Sequence, residues 1–94
     1  MECNSLKEVR ENIDRIDCQI IKLIGERGAY VAQASKFKQN TNEVRAPKRL
    51  EAVIDRVRTL ADQYGANPDM IEKLYREMIA QFITMEMDEF KNNK

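Results

Sequence analysis

Four side chains in this 94-residue chain have the type and spacing to hold a small anion: Arg10, Arg27, Lys38 and Arg49. Arg27 falls where an apolar repeat calls for a hydrophobe. Leu6, Val9, Ile13, Ile16, Ile20 and Leu23 recur at three- and four-residue steps, and the next step lands on the arginine. Lys38 follows eleven residues later, which in a continuous helix is three turns within about 20° and about 16 Å along the axis. Both side chains could then converge on one ligand. Arg10, seventeen residues before Arg27, would be roughly 25 Å away and turned through about 100°. It cannot share a small ligand with Arg27 of its own chain, but a two-fold dimer of antiparallel helices would bring it beside the other copy's Arg27 and Lys38. Arg49 sits in the first turn of a second helix, where the dipole is positive. Such a pocket suits a ligand with more than one carboxylate, because the planar guanidinium binds each carboxylate through two parallel hydrogen bonds.

The same residues admit a structural reading. Arg27 could be a buried ion-pair partner of Glu26, Glu51, Glu77 or Glu86. Lys38 and Arg49 could be solvated helix ends, Arg10 a surface partner of Asp14 at four-residue spacing, and Glu86 an interface salt bridge or an exposed residue.

What the chain lacks narrows the chemistry. There is no histidine and no metal-type cysteine spacing, so zinc binding, Ser-His or Cys-His nucleophilic catalysis and proton transfer near pH 7 lose their usual apparatus. No metal or cofactor is expected. Cys3 and Cys18 read as free thiols, and Gly25, Gly28 and Gly65 are too scattered for a phosphate loop. Sixteen basic and sixteen acidic residues cancel, which argues against a nucleic-acid partner. The chain has no run near the ~20 apolar residues of a membrane span and no signal-peptide pattern at its start, so a cytoplasmic protein is expected.

The elements that must position these residues are all helical: an all-α fold of three helices, one domain over residues 1–94, with no strand. The first helix opens on the capping box Ser5-Leu6-Lys7-Glu8 and runs to about Lys38. A loop without periodicity, Gln39 to Arg45, leads through Ala46 to Pro47, which fits a first helical turn. The second helix, about Pro47 to Tyr64, carries Leu50, Val53, Ile54, Val57, Leu60 and Ala61 on one face and stops at Gly65. Asn67-Pro68 caps the third, with Ile71, Leu74, Tyr75, Met78, Ile79 and Phe82 on its stripe and Met85 and Glu86 at the next steps. Met70, Met78, Met85 and Met87 read as flexible core filler. Residues 1–4 and 91–94 read as disordered tails, and no fused regulatory domain is expected.

Two features of the first helix ask for a partner. At ~1.5 Å per residue it is roughly 50 Å long, against a diameter of about 30 Å for a compact chain of this length. Its stripe cannot be hidden by its own chain, and an intertwined homodimer is expected. Gly25 and Gly28 each cost ~1 kcal/mol against alanine in a helix interior. Either a neighbouring backbone or ligand approaches that turn, or packing tolerates them.

The segment LKEVRENIDRIDCQIIKLIGERGAYVAQASKFK resembles the long first helix of the all-helical chorismate mutase family, which includes bacterial isochorismate-pyruvate lyases. The resemblance covers almost the whole chain. Arg10, Arg27, Lys38 and Arg49 match four positions of the family's signature. It implies an intertwined dimer with two equivalent sites, each borrowing Arg10 across the interface. It also implies a pericyclic reaction, chorismate to prephenate, with no covalent intermediate and no obligatory proton transfer. Arg10, Arg27 and Arg49 would clamp the substrate carboxylates or order the site, with Ala46 and Phe82 among its binding residues. Lys38 would donate to the ether oxygen as the carbon–oxygen bond breaks. The alternatives are an isochorismate-pyruvate lyase, a relative acting on another chorismate-derived ring, or a silent helical dimerisation or dicarboxylate-binding module.

Three positions depart from the family. Glu86 stands where a glutamine is usual, and a carboxylate donates a hydrogen bond only when protonated, so activity should favour acidic pH or be weak. Leu50 stands where many mutases have a glutamate just after the arginine, and Ala46 where they have an aspartate three residues before it. The run Ala-Pro-Lys-Arg-Leu resembles the lyase branch more closely.

Overall fold

A computed structural model of the chain describes residues 2–92. Its regular elements are α1 (Leu6–Ser35), α2 (Thr41–Arg45), α3 (Pro47–Tyr64) and α4 (Pro68–Asn92), with no strand among the described residues. The expected tail positions 1, 93 and 94 lie outside the described residues, whereas Lys91 and Asn92 extend α4 instead of fraying from it. No helix among the described residues is long and apolar enough to cross a membrane. The chain divides into two compact units, one ending at Val31 and one beginning at Ala32.

The first unit is most of α1. Its start is capped as the Ser-x-x-Glu pattern demands, with the Glu8 N–H donating to Ser5 Oγ at 3.1 Å. The Glu8 carboxylate closes the box one residue further back than expected, accepting the Asn4 N–H at 2.7 Å. None of the residues of α1 is buried. Ile13, Ile16, Ile20 and Leu23 are all exposed, Leu23 at 61%, so the stripe exists as the periodicity predicts but has no cover. A Cβ added at Gly25 would meet no atom within 4 Å. Cys3 and Cys18 are exposed free thiols.

The second unit opens with a correction to the length of the first helix. It stops at Ser35, and the N–H groups of Lys36, Phe37 and Lys38 reach back three residues to Gln33, Ala34 and Ser35 at 3.1–3.2 Å, a tightening usual at helix ends. Lys38 therefore lies beyond the helix, and the three-turn register with Arg27 does not carry to it. The stretch expected to be loop contains α2. Asn40, in extended conformation, accepts the Glu43 N–H at 2.9 Å, and the Glu43 carboxylate accepts the Gln39 N–H. That is a capping pair around a single turn too short to show periodicity.

Ala46 then takes the left-handed conformation at φ 40°, ψ 62°, serving as C-cap of α2 and N-cap of α3. Pro47 keeps Ala46 out of the right-handed helical region, so α2 does not run on into α3. The Ala46 N–H donates to Asn42 O at 2.8 Å and its carbonyl accepts the Leu50 N–H at 2.9 Å, so one strained alanine joins the two helices. Gly65, also left-handed, ends α3, and Asn67 Oδ1 accepts the Met70 N–H at 3.1 Å to start α4.

α3 and α4 pack as a helical hairpin. Its core is Val53, Ile54, Val57 and Ala61 from α3, with Met87 from α4 and Val44 from α2. Leu50, Leu60 and most of the α4 stripe are half-buried. Two expected stripe positions, Leu74 and Met85, are exposed, and Glu86 and Met87 take the buried place that Met85 would have had. Ion pairs on the edge of the hairpin show its register. Arg76 donates to Glu51 at 2.9 and 3.0 Å and to Glu72 at 2.7 Å, while Arg58 donates to Glu72 at 2.8 Å and Asp69 at 3.0 Å. Early α3 thus meets mid α4, and late α3 meets early α4, which is an antiparallel arrangement.

The Arg76 hydrogen bonds hold the Glu51 and Glu72 carboxyls below their ordinary value of 4.5. A lowered folded-state value gives stability that is present above the unfolded carboxylate value and lost as pH falls through the folded one. Melting temperature should therefore fall as pH drops from about 5 towards about 3, and Glu72→Gln should shrink that fall; an identical pH profile would remove the network from the stability. Ala46→Gly relieves the left-handed strain but adds unfolded-state entropy, and should raise the urea midpoint by the equivalent of about 0.5–1 kcal/mol. A lowered midpoint would show that the alanine side chain contributes more than the strain costs.

Candidate active site

The second unit brings Lys38 and Glu86, residues on different elements, into one pair. Lys38 Nζ donates to Glu86 Oε2 at 3.3 Å, with Glu86 only 7% exposed and Lys38 23%. The α1–α2 turn supplies the lysine because α1 has already ended. The last part of α4 supplies the glutamate where α4 runs along α2. A buried carboxylate needs a partner that restores its lost hydration, and the ammonium provides it. Nζ carries three N–H donors, so two remain after the bond to Glu86.

Beside this pair is a concavity of about 580 Å³. Lys38, Lys48 and Arg49 are its cations, and Asn42 and Glu43 its other polar groups. Ala34, Phe37, Ala46 and Pro47 form its apolar wall, with Phe37 84% exposed. Lys48 and Arg49 reach it because Pro47 starts α3 there, which places both in a first turn that holds no acidic residue. Among the described residues neither side chain has an ion-pair partner. Cations in a first turn oppose the helix dipole, at about 0.3–1 kcal/mol each when exposed. The first turn of α3 therefore gives up some helix stability.

Of the residues expected in the site, Lys38, Ala46 and Arg49 line the concavity, and Glu86 meets it through Lys38. Ala46 has both backbone groups committed within the chain. Phe82 is half-buried on α4, one turn before Glu86, and is not on the lining. Arg10 and Arg27 belong to the unit that ends at Val31. Arg10 is exposed, with no ion pair to Asp14 among the described residues, and Arg27 is half-buried. Seventeen residues of α1 separate them, so within one chain they lie roughly 25 Å apart. Among the described residues no cluster of acidic or sulfur ligands could hold a metal.

Sequence reasoning missed Asn42, Glu43, Lys48 and Phe37. The signal for the first two was present, since Asn40 followed three residues later by Glu43 is a helix-start pattern. Lys48 and Phe37 had no signal of their own, because an exposed lysine and a loop aromatic gain meaning only from the surface they share.

Comparison with known proteins gives a consistent answer. The sequence model of the family described as chorismate mutase type II matches residues 9–87. The chain is 30% identical over 93 residues to the isochorismate pyruvate lyase of Pseudomonas aeruginosa, covering 99% of this chain and 92% of that one. It is 29% identical over 75 residues to the chorismate mutase of Methanocaldococcus jannaschii, covering 79% and 76%. The bifunctional chorismate mutase/prephenate dehydratase of Aquifex aeolicus is 29% identical over 85 residues, and the chain spans 24% of its length.

Proposed function

The chain belongs to the chorismate mutase type II family, and from that premise we propose that it is a chorismate mutase, rearranging chorismate to prephenate. The observation that carries the reading is Lys38, held by buried Glu86 at 3.3 Å on the edge of a cationic concavity that includes Arg49. In this rearrangement a carbon–oxygen bond breaks as a carbon–carbon bond forms, and no atom leaves. The work left to the protein is to hold a compact conformer and to meet charge developing on the ether oxygen. The free N–H donors of Lys38 suit the ether oxygen, and the Arg49 fork suits a carboxylate. None of these steps asks for histidine, which the chain lacks.

The second copy of the chain belongs to the same proposal. α1 has no buried residue, and burial of its Val, Ile and Leu side chains is worth about 1.5–3 kcal/mol for each one fully covered. An intertwined homodimer would cover that stripe and supply Arg10 to a site that holds Arg27, which one chain cannot do over roughly 25 Å. A second reading, isochorismate-pyruvate lyase, is favoured by the similarity over nearly the full length to the Pseudomonas protein and by Leu50 and Ala46 flanking Arg49.

A paired assay decides between them: purified protein with chorismate and with isochorismate from about pH 5 to about 8, a span that brackets carboxylate and neutral conditions, following prephenate, salicylate and pyruvate. Prephenate alone is the expected result. Salicylate with equimolar pyruvate would establish the lyase, and no product from either would leave a binding or dimerisation module. Glu86→Gln supplies an amide donor at every pH, whereas the carboxylate donates only when protonated. The variant should raise activity at neutral pH and flatten the profile; an unchanged profile would take Glu86 out of the chemistry.

A further inference from the structure

Glu43 puts a carboxylate on the lining of a concavity that also holds Lys38, Lys48 and Arg49, yet it takes part in no ion pair among the described residues. A negative charge there works against an incoming anion. What the carboxylate does instead is accept the Gln39 N–H, and that N–H belongs to the peptide group joining Lys38 to Gln39. On the other side, the N–H of Lys38 itself donates to Ser35 O at 3.2 Å. The Cα of Lys38 therefore lies between two planar peptide groups, each hydrogen-bonded, and the direction in which its side chain leaves the backbone is set by them. The start of α1 uses the same device, with the Glu8 carboxylate on the N–H of Asn4, one residue before the cap Ser5. There the anchored peptide carries no residue of the concavity. In α2 the same offset places the carboxylate on the peptide of the lysine.

We propose that Glu43 is a positioning residue of this site: by holding the Lys38–Gln39 peptide, its carboxylate fixes the Lys38 ammonium against Glu86. The inference rests on the proposed function, in which Lys38 meets the substrate. The anchor is itself held in place. α2 packs on α4, and Val44, the neighbour of Glu43, is its buried residue at 2% exposure. Asn40 Oδ1 accepts the Glu43 N–H at 2.9 Å, which sets the first turn. From Glu43 the path runs through the Gln39 N–H to Lys38, and Lys38 Nζ returns to α4 at Glu86. The lysine is thus referred to one helix at both its base and its tip. The hold at the tip is loose, because 3.3 Å is long beside the ~2.7–2.9 Å of a good charge-assisted bond. A flexible four-carbon stem held only there would keep much of its freedom, so the hold at the base decides where the ammonium stands. Glu43 acts through Lys38 and takes no part in bond making.

The test reads Lys38 by two routes in the whole chain. Trace labelling of amines with acetic anhydride, followed by peptide mass spectrometry, gives the reactivity of Lys38 relative to that of exposed Lys73 on α4. Steady-state kinetics with chorismate and with isochorismate give kcat and KM. Wild type is compared with Glu43→Ala, Glu43→Gln and Asn40→Ala, and with Glu8→Ala as a control that removes an equivalent cap bond far from Lys38 in the chain. Glu43→Ala should raise Lys38 labelling several-fold and lower kcat about tenfold, without raising KM, because a carboxylate has left an anion site. Glu43→Gln keeps an acceptor for the Gln39 N–H and should return both readouts to near wild type. Asn40→Ala breaks the other half of the cap and should move both in the same direction as Glu43→Ala, which supplies the result if Glu43→Ala does not fold. Glu8→Ala should leave Lys38 labelling unmoved. Unchanged Lys38 labelling in Glu43→Ala and Asn40→Ala would overturn the inference even where kcat falls, since Glu43 would then act on the substrate directly. An equal rise in Glu8→Ala would overturn it as general loosening, and an equal rise in Glu43→Gln as lost charge rather than a lost acceptor. In a protein that turns over neither substrate, Glu43-dependent labelling of Lys38 would uphold the anchor while the mutase and lyase readings fail.

Discussion

A carboxylate that loses its water needs a partner in its place, and in the second unit that requirement falls on Glu86. Its side chain is 7% exposed and its partner is Lys38, forty-eight residues away in sequence. For the pair to form, α1 must stop early enough to release Lys38, α2 must turn the chain, and α4 must run far enough past the hairpin to deliver Glu86. Breaking such a pair by removing one partner generally costs more than the pair itself contributes, because the other charge stays buried. The position of the α1–α2 turn, the path through Ala46 and the length of α4 are thus tied to one contact.

Charge is sorted along the hairpin. On one edge Arg58 and Arg76 bind Glu51, Asp69 and Glu72 in a linked network that leaves neither arginine without a partner. Around the start of α3 the pattern is the reverse, with Lys48 and Arg49 placed where the dipole is already positive and without ion-pair partners among the described residues. A helix optimised for its own stability would carry acidic residues there. The satisfied edge joins the two helices of the hairpin, whereas the unsatisfied end opposes the dipole of its own helix.

α1 presents a different imbalance. Ile13, Ile16, Ile20, Ile21, Leu23 and Ile24 are all exposed, a contiguous apolar face of the kind that marks an interaction surface in soluble proteins. The proposed homodimer answers that face and the spacing of Arg10 and Arg27 by the same arrangement.

Much of this was legible in the residues. The 3.6-residue repeats, Ser5 with Glu8, Pro47, Gly65 and Asn67-Pro68 located three of the four helices and most of the buried face of α3, because caps and amphipathic periods are local properties. The order and spacing of Arg10, Arg27, Lys38 and Arg49 pointed to the family, although the helical register assumed between Arg27 and Lys38 does not hold, since α1 ends at Ser35. The short α2 and the early end of α1 are local too, resting on a cap and on i→i+3 bonds within a few residues, but they fall below the length at which periodicity speaks. Two things were decided by tertiary structure. The exchange of Met85 for Glu86 and Met87 on the buried face of α4 depends on where α4 meets α2. The pairing of Glu86 with Lys38 depends on a chain reversal between them. A sequence determines what each residue offers, but whether a charge is matched is a property of distances between residues far apart in the chain, and only the folded chain sets those.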